Sequence, residues 1–327
     1  MEYLGHLPKT DPLYQYLKEE IMPQIGVNNL DTVRVFGSKS SHAVYIYEDK
    51  ISCKRVVGKF FAVGESDIEK AKRKLHREYN NICEFKKYLG NFHYVARPLG
   101  IKEELDCLLV IEYCYGTALD AVIKEAINNK NESYLFDKLS ALGNFLSTIH
   151  NNSAQSNKVN FQSICLYFEN IIKQLDGILY PGEADYFYNL CQRYKDNTNM
   201  YQDNEVLVHG DATPSNFFFG DDQHVITFDL ERMHRSDRMF DTGRIAGEIQ
   251  HFFLVNTSNK YLAEPFIGHF LWQYCKNFPD QQRAFESITS RLPFYMGMTL
   301  LRIARNTYLT NDYRRKLIEE AKLTLDK

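Results

Sequence analysis

Apolar and polar positions follow two different periods along the chain, and the change from one period to the other predicts the order of its elements. Alternating apolar residues over 32–36 and 43–47 predict a β-hairpin. Apolar residues at helical spacing over 68–89 predict one long helix packed on the same sheet. Helical spacing returns over 135–149 and again from residue 238 onward. The pattern therefore predicts an α+β chain, with a sheet and one main helix first and a mostly helical part after it.

Two further features of the pattern concern the beginning of the chain and the beginning of the long helix. The first 30 residues show only a short helical pattern, around 12–22. Ser66 and Glu69 have the spacing of a capping box, which predicts the start of the long helix.

A single lysine, Lys59, interrupts the apolar run of the strand predicted over 51–62. A buried ammonium is costly unless it is paired, so this strand needs a carboxylate from a neighbouring element. Glu78 lies beside the apolar stripe of the long helix and can supply it, and Glu84 is the alternative. The sequence therefore predicts an ion pair between Lys59 and this helix.

Polar side chains with fixed spacing follow the apolar run Val206–Val208. This run predicts a buried strand that carries His209 and Asp211 into a turn, with Asn216 shortly after the turn. A hairpin then leads to Asp229, so we expect the three oxygen-bearing side chains to face a common space.

These residue types are the ones that phosphoryl transfer requires. A carboxylate without a metal can orient or deprotonate a hydroxyl, while a second carboxylate and an amide oxygen suit Mg²⁺. Catalysis of this reaction consists mostly of positioning and charge neutralisation. The alternative is that the aspartates belong only to solvated turns, but their joint spacing favours a phosphotransferase site.

The same stretch resembles the catalytic and metal-binding segment of the aminoglycoside phosphotransferase and choline kinase family, which are small-molecule kinases with a protein-kinase-like fold. The family's pattern of His-Gly-Asp, four residues and Asn is matched, and so are its Asp-x-Glu and Asp-x-x-x-Asp patterns. The sequence departs from the frequent family residues at Ala212, Thr213 and Ser215. In order, the matching residues are His209, Gly210, Asp211 and Asn216, then Asp229 and Glu231, then Asp237 and Asp241.

The resemblance implies a bilobal fold that uses ATP and Mg²⁺. An N-terminal nucleotide-binding lobe would cover residues 1–114, and a C-terminal catalytic and acceptor-binding lobe would cover 115–327. Asp211 would be the catalytic residue that accepts or orients the acceptor's proton, and Asn216 and Asp229 would bind the metal. His209 and Asp241 would support the catalytic loop.

The resemblance also assigns residues to the nucleotide. The pair of Lys59 and Glu78 would orient the lysine on the α- and β-phosphates. The backbone of Glu112 and Cys114 would contact adenine at an interlobe hinge. The hairpin tip after residue 37 is small and rich in hydroxyl groups, so it can lie over phosphates; its candidate residues are Ser38, Ser40 and Ser41.

Two groups near the metal motif have more than one interpretation. Glu231 either contacts a second metal or meets the acceptor. A basic cluster follows it, formed by Arg232, His234, Arg235 and Arg238. This cluster either anchors an anionic group of the acceptor, with Arg235 as the substrate contact, or pairs with Asp237 and Asp241; we favour the pairing.

Composition and charge limit the classes of partner and the cellular location that we expect for this protein. A net charge of −3 and a pI near 6.4 give no basic footprint for nucleic acid. Seven scattered cysteines have no metal-ligand spacing and indicate reduced thiols. No apolar run has the length that a membrane span needs, so we expect a cytoplasmic protein.

Three functions compete on these grounds. The first is an ATP- and Mg²⁺-dependent kinase that phosphorylates a hydroxyl of a small metabolite, such as a sugar, amino sugar or amino alcohol. The second is an aminoglycoside antibiotic phosphotransferase, which would need a strongly acidic acceptor pocket. The third is a nucleotide-binding pseudokinase or scaffold, which would lack a lysine, base or metal ligand. The first is favoured, while the acceptor and the oligomeric state stay open.

Overall fold

The structure is a computed structural model that describes residues 1–37, 43–90, 93–220 and 224–327. Contacts between Cα atoms divide the chain into two compact units. The first unit comprises Met1–Lys87, Tyr94–Tyr115 and Ile226–Glu231. The second comprises Tyr88–His93, Gly116–Val225 and Arg232–Lys327.

The strands and helices follow one another in the predicted order, with strands concentrated in the first unit and helices in the second. The strands are β1 (Glu2–His6), β2 (Val33–Gly37), β3 (Ala43–Asp49), β4 (Arg55–Phe60), β5 (Tyr94–Val95), β6 (Pro98–Lys102), β7 (Leu108–Glu112), β8 (Thr117–Ala118), β9 (Val206–Val208), β10 (Phe217–Phe219), β11 (Val225–Thr227) and β12 (His234–Ser236). The helices are α1 (Pro12–Tyr16), α2 (Ile68–Lys86), α3 (Leu119–Asn129), α4 (Glu132–Asn152), α5 (Phe161–Lys173), α6 (Glu183–Lys195), α7 (Met239–Thr257), α8 (Glu264–Cys275), α9 (Gln281–Ala304) and α10 (Asn311–Leu325).

The first unit is built on an antiparallel sheet with the order β1-β2-β3-β4-β7-β6. The predicted hairpin is β2 and β3, paired from Val33 with Asp49 to Gly37 with Tyr45. The edge strand β1 was not predicted; it pairs with β2 through a register shift between Tyr3 and Gly5. Strand β4 lies inside the sheet, between β3 and β7, so its side chains have neighbours on both sides.

Helix α2 packs against β5, β6 and β7 of the first unit. Its buried side follows the predicted apolar stripe and includes Leu75, Ile82 and Phe85. The predicted capping box was wrong, because Asp67 is the N-cap and its side chain accepts a hydrogen bond from the backbone N–H of Lys70. Asp67, one residue after Ser66, offers a carboxylate oxygen in place of a hydroxyl as the acceptor, and aspartate is among the strongest N-caps.

A separate apolar cluster of the first unit joins the N-terminal segment to the sheet. Leu17, Ile21 and Met22, in a π-helical turn and the 3₁₀ turn that follows it, are fully buried against strand residues such as Val56 and Val110. The segment before β2 therefore contributes side chains to the core of this unit.

The second unit is mostly helical and is organised around α7. This helix packs on α9, which in turn packs on α10, while α4 packs on α8. Nearly every residue from Met239 to Gln250 is buried, so α7 is a central helix, and its few charged side chains must have partners. Among the described residues, none of the helices combines the length and apolar character needed to cross a bilayer.

Candidate active site

Lys59 is held in the first unit by two carboxylates. Its Nζ lies 2.6 Å from Glu78 Oε1 and 2.8 Å from Asp229 Oδ1, and the residue is only 7% exposed. The predicted pair of Lys59 with α2 is therefore present, and it is formed with Glu78. Burial acts to lower the pKa of Lys59, but the charges of Glu78 and Asp229 outweigh it and raise the pKa above its ordinary value. The ammonium therefore stays charged at neutral pH.

Three carboxylates converge beside this lysine. Oxygen atoms of Glu78, Asp229 and Glu231 all lie within 4.8 Å of one another, close enough to share a cation. Glu78 is fully buried, and its Oε2 has no hydrogen-bond partner among the described residues. Burial raises the pKa of Glu78 although Lys59 opposes the shift. A hard divalent cation fits this group, because it takes oxygen ligands and would satisfy the orphaned oxygen. We call Lys59 and these carboxylates the lysine–carboxylate cluster.

The segment that carries Asp229 has an unusual backbone. Asp229 has φ of 65°, in the left-handed region that few residues other than glycine adopt. The next residue is fixed to α2, since Leu230 O accepts a hydrogen bond of 2.7 Å from Asn81 Nδ2. Strained conformations of this kind persist where surrounding contacts enforce them, and they concentrate at functional sites.

The catalytic loop predicted after β9 is built in the second unit around Asp241, in the first turn of α7. Its carboxylate accepts hydrogen bonds from the backbone N–H of His209 at 2.6 Å and of Gly210 at 3.0 Å. Gly210 has φ of 79°, and a Cβ atom there would lie 2.0 Å from the carbonyl oxygen of Arg232. Only glycine fits this turn. The loop is thus tied to α7 through Asp241, whose supporting role in catalysis stays a prediction.

Asp211 is positioned by its backbone and by arginines. Its N–H donates to His209 Nδ1 at 3.3 Å, and its carbonyl oxygen accepts from Asn216 Nδ2 at 2.9 Å. Its Oδ1 accepts from Arg244 Nη1 at 3.0 Å and Arg302 Nη2 at 2.5 Å. Burial acts to raise the pKa of Asp211, but Arg302 and then Arg244 lower it below its ordinary value. The carboxylate is therefore ionised at neutral pH.

Further polar side chains surround these arginines inside the second unit. Arg244 also donates to Gly210 O at 2.8 Å and to the Tyr167 hydroxyl at 3.3 Å. Glu248, one turn further along α7, lies 3.9 Å from Arg302. Burial raises the pKa of Glu248 to about 6 even though the arginines oppose the shift. Asp211, Arg244, Arg302 and Glu248 form what we call the aspartate–arginine cluster.

Comparison with known families decides the class of the protein. The sequence model of the phosphotransferase enzyme family matches residues 32–273, well over half of the chain. The chain belongs to this family. The resemblance and the assignment as a small-molecule kinase acting on an alcohol group are thereby confirmed. The antiparallel sheet of the first unit and the mostly helical second unit confirm the predicted α+β fold class.

Solved structures of phosphotransferases have the same fold. The ADP-bound aminoglycoside phosphotransferase APH(2'')-Ib aligns with a TM-score of 0.60 at 14% identity, over 96% of this chain and 97% of that chain. The ethanolamine kinase of Plasmodium vivax aligns with a TM-score of 0.60 at 12% identity, over 96% and 87%. The choline kinase LicA from Streptococcus pneumoniae aligns with a TM-score of 0.55 at 17% identity, over 97% and 99%. A comparison with curated protein sequences gave no significant match.

Other residues predicted for this phosphotransferase are placed as follows. Glu112 ends β7, and its side chain accepts a hydrogen bond of 2.8 Å from the backbone N–H of Arg97. Cys114 follows it, near the point where the first unit gives way to the second. The predicted phosphate contacts Ser38, Ser40 and Ser41 lie outside the described residues.

The interpretation favoured for the basic cluster after the metal motif was wrong. Asp237 instead pairs with Arg291 at 2.7 Å, and Asp241 contacts His150 at 3.3 Å. Arg238 pairs with Asp203 at 2.8 Å. These partners lie far away in sequence, so charge proximity along the chain could not identify them.

Arg235 and Arg232 of the same basic cluster have different surroundings. Arg235 Nη1 donates to Ser153 O at 2.8 Å, which ties β12 to the end of α4. Arg232 Nε lies 3.8 Å from Asp211 Oδ2. Within the described part of the chain, Arg232 therefore forms an ion pair with the candidate catalytic aspartate and Arg235 does not.

Sequence reasoning missed the arginines and the glutamate around Asp211. A signal was present, because Arg302 is a lone charge in the apolar run 294–304 of α9. Arg244 and Glu248 likewise follow Asp241 at spacings of three and seven residues, which places them on one side of a buried helix. The argument that predicted a partner for Lys59 applies to each of them.

Proposed function

We propose that this phosphotransferase transfers the γ-phosphate of ATP, with Mg²⁺, to a hydroxyl of a small metabolite. The arrangement of Lys59 between Glu78 and Asp229 carries the proposal. A buried, permanently charged ammonium that is oriented by a helix carboxylate is suited to the phosphates of a nucleotide. A structural ion pair alone would not require the left-handed backbone at Asp229 or a third carboxylate beside it.

The lysine–carboxylate cluster would also hold the metal. Asp229 is the principal candidate ligand, and Glu231, whose role the sequence left open, is favoured as a second by its distance from Asp229 and Glu78. Asn216 stays a predicted ligand. When bound, Mg²⁺ neutralises charge on the β- and γ-phosphate oxygens.

Asp211 would act on the acceptor. Its carboxylate accepts or orients the hydroxyl proton while the acceptor oxygen forms a bond to the γ-phosphorus, the bond to the β–γ bridging oxygen breaks, and ADP leaves. A pKa below the ordinary value makes Asp211 a weak base, so its contribution is mainly orientation of the hydroxyl.

The two units would divide these tasks. We propose that the first unit binds the nucleotide, with the backbone of Glu112 and Cys114 at the adenine and the serines 38, 40 and 41 at the phosphates. The second unit would bind the acceptor through the catalytic loop. This division follows the predicted lobes, 1–114 and 115–327.

The test is Mg²⁺-dependent ADP release against a panel of sugars, sugar acids, amino sugars, amino alcohols and aminoglycosides. Asp211→Asn should abolish transfer while ADP binding by calorimetry is unchanged, and Asp229→Asn should abolish Mg²⁺-dependent nucleotide binding. Asp312→Asn, an exposed aspartate in the first turn of α10, is the matched control and should behave as wild type. Turnover within a few-fold of wild type in Asp211→Asn would refute its role. Nucleotide binding without transfer to any acceptor would favour a scaffold.

A further inference from the structure

The surroundings of Asp211 in the second unit carry more positive than negative charge. Arg244 and Arg302 both contact one oxygen of Asp211, although a single guanidinium would neutralise it. Arg232 is 3.8 Å from the other oxygen, and Arg305 follows Arg302 by three residues. Against these four cations, the nearby carboxylates are Asp211, Glu248 and, close to Arg244, Asp241. The group therefore has an excess of guanidinium charge.

The ionisation of nearby groups agrees with this excess. Burial acts to raise the pKa of Tyr167, but Arg244, followed by Arg302 and Arg305, outweighs burial and lowers the pKa below its ordinary value. Burial lowers the pKa of Arg305, and the charge of Arg302 adds to that shift. The direction at Tyr167 indicates a positive local potential, and the contribution of Arg302 at Arg305 agrees with it.

A cavity of about 330 Å³ in the second unit opens beside these arginines. Its lining includes Thr213 and Ser215 of the catalytic loop together with Arg302 and Arg305. Its acidic lining residues are Glu248 and Asp120, and Asp120 pairs with Lys124 at 2.8 Å. His251 also lines it, and burial lowers the pKa of that imidazole to about 4, so it is neutral at pH 7. The volume suits a metabolite of a few carbon atoms.

Arg302 has an unused donor at this place. Its Nη2 donates to Asp211, but its Nε is buried and has no hydrogen-bond partner among the described residues. A buried guanidinium N–H without an acceptor is costly. This donor therefore favours a ligand whose oxygen atom accepts its hydrogen bond.

We propose that the phosphate acceptor is an anion: a small hydroxylated molecule whose carboxylate or phosphate is bound by Arg302 and Arg305 while its hydroxyl meets Asp211. This inference rests on the proposed function and specifies its substrate class. Guanidinium groups bind carboxylate and phosphate through paired hydrogen bonds. The same charges repel a polycationic drug or a quaternary ammonium alcohol, so they disfavour an aminoglycoside as the acceptor.

The test compares acceptors that share hydroxyl groups and differ in charge. Glucose, gluconate, glucose 6-phosphate and glucosamine form one set, and glycerol, glycerate, glycerol 3-phosphate and ethanolamine form another. A small-molecule cell extract, separated into anionic, neutral and cationic fractions, extends both sets. We expect transfer of labelled γ-phosphate to the anionic members or fraction, with kcat/KM about ten- to a hundredfold above the neutral and cationic ones. The carboxylate and phosphate members identify which anion is bound.

Substitutions of Arg305 and Arg302 test whether these arginines cause the preference for anionic acceptors. Arg305 lines the cavity, and among the described residues it donates to Gln174 Oε1 and forms no ion pair with Asp211. Arg305→Gln should therefore raise KM for the anionic acceptor about tenfold or more while leaving KM for ATP unchanged. Arg302→Lys keeps the charge and tests the unused donor, provided that its melting temperature is near that of wild type. Arg283→Gln, an exposed position on the same helix α9, is the matched control.

The outcomes separate the inference from the function on which it rests. Equal or better transfer to neutral or cationic acceptors would overturn the anionic class and leave the phosphotransferase in place. An unchanged preference in Arg305→Gln and in folded Arg302→Lys would also overturn it. Absence of transfer to every probe and fraction, with ATP bound, would overturn both.

Discussion

Replacement of Glu248 by glutamine should stabilise the protein at neutral pH. Glu248 is 8% exposed, and burial raises its pKa to about 6 from an ordinary value of 4.5. Above pH 6 the folded state must therefore hold an ionised carboxylate in a buried place. In the unfolded chain water solvates the same carboxylate, so its ionisation favours unfolding. Glutamine has nearly the same shape and no charge, so it removes this cost.

The magnitude follows from the two pKa values. A difference of about 1.5 in pKa corresponds to about 2 kcal/mol of unfolding free energy. Because the folded pKa is the higher one, the folded state binds this proton more tightly than the unfolded state. The wild type should accordingly gain stability from this group as the pH falls from about 6 to about 4.5. Glu248→Gln should be more stable than wild type by about 2 kcal/mol at pH 7.5 and equal to it below pH 4.5.

The assay is urea unfolding followed by circular dichroism at pH 4.5, 6.0 and 7.5. Glu264→Gln, an exposed glutamate in the first turn of α8, controls for the loss of a surface charge and should change stability little. The reasoning fails if Glu248→Gln is less stable than wild type at pH 7.5. That result would mean that the contact of 3.9 Å with Arg302 stabilises an ionised Glu248.

Three further changes test the catalytic loop and the lysine–carboxylate cluster. Gly210→Ala should destabilise the protein by more than about 2 kcal/mol, because its backbone and the nearby Arg232 carbonyl leave no room for Cβ; an unchanged melting temperature would contradict the loop geometry. Lys59→Met should weaken ADP binding about tenfold or more by calorimetry, and equal affinity would exclude this lysine from the nucleotide site. Asp241→Asn should lower kcat without changing ADP affinity, since it weakens the two hydrogen bonds that hold the catalytic loop; wild-type kcat would remove its supporting role.

The local sequence pattern was enough to predict several parts of the candidate site. The strand Val206–Val208 is apolar at every position, so its burial and the exit of His209 and Asp211 into a turn follow from three residues and the polar ones after them. The pairing of Lys59 with Glu78 was also predictable. A lone lysine in an apolar strand needs a partner, and the helical stripe on α2 places that glutamate on the buried side.

Other features depend on contacts between distant parts of the chain. Strand β1 has little strand pattern of its own and forms because the edge of β2 is available to it. The start of α2 differs by one residue from the predicted start, because Ser66 and Asp67 are both good caps and only the backbone decides between them.

The sequence by itself determined the class of fold, the candidate catalytic motif and the need for charge partners, because these depend on periodicity, on spacing and on the cost of burying a charge. The tertiary structure alone decided which partners meet. Arg302 contacts Asp211 from 91 residues away, and Arg291 contacts Asp237 from 54 residues away. An arginine can pair almost equally well with any carboxylate. Only the packing of α7 and α9 therefore decides which arginine meets which aspartate. That selection gave the candidate acceptor site its positive charge.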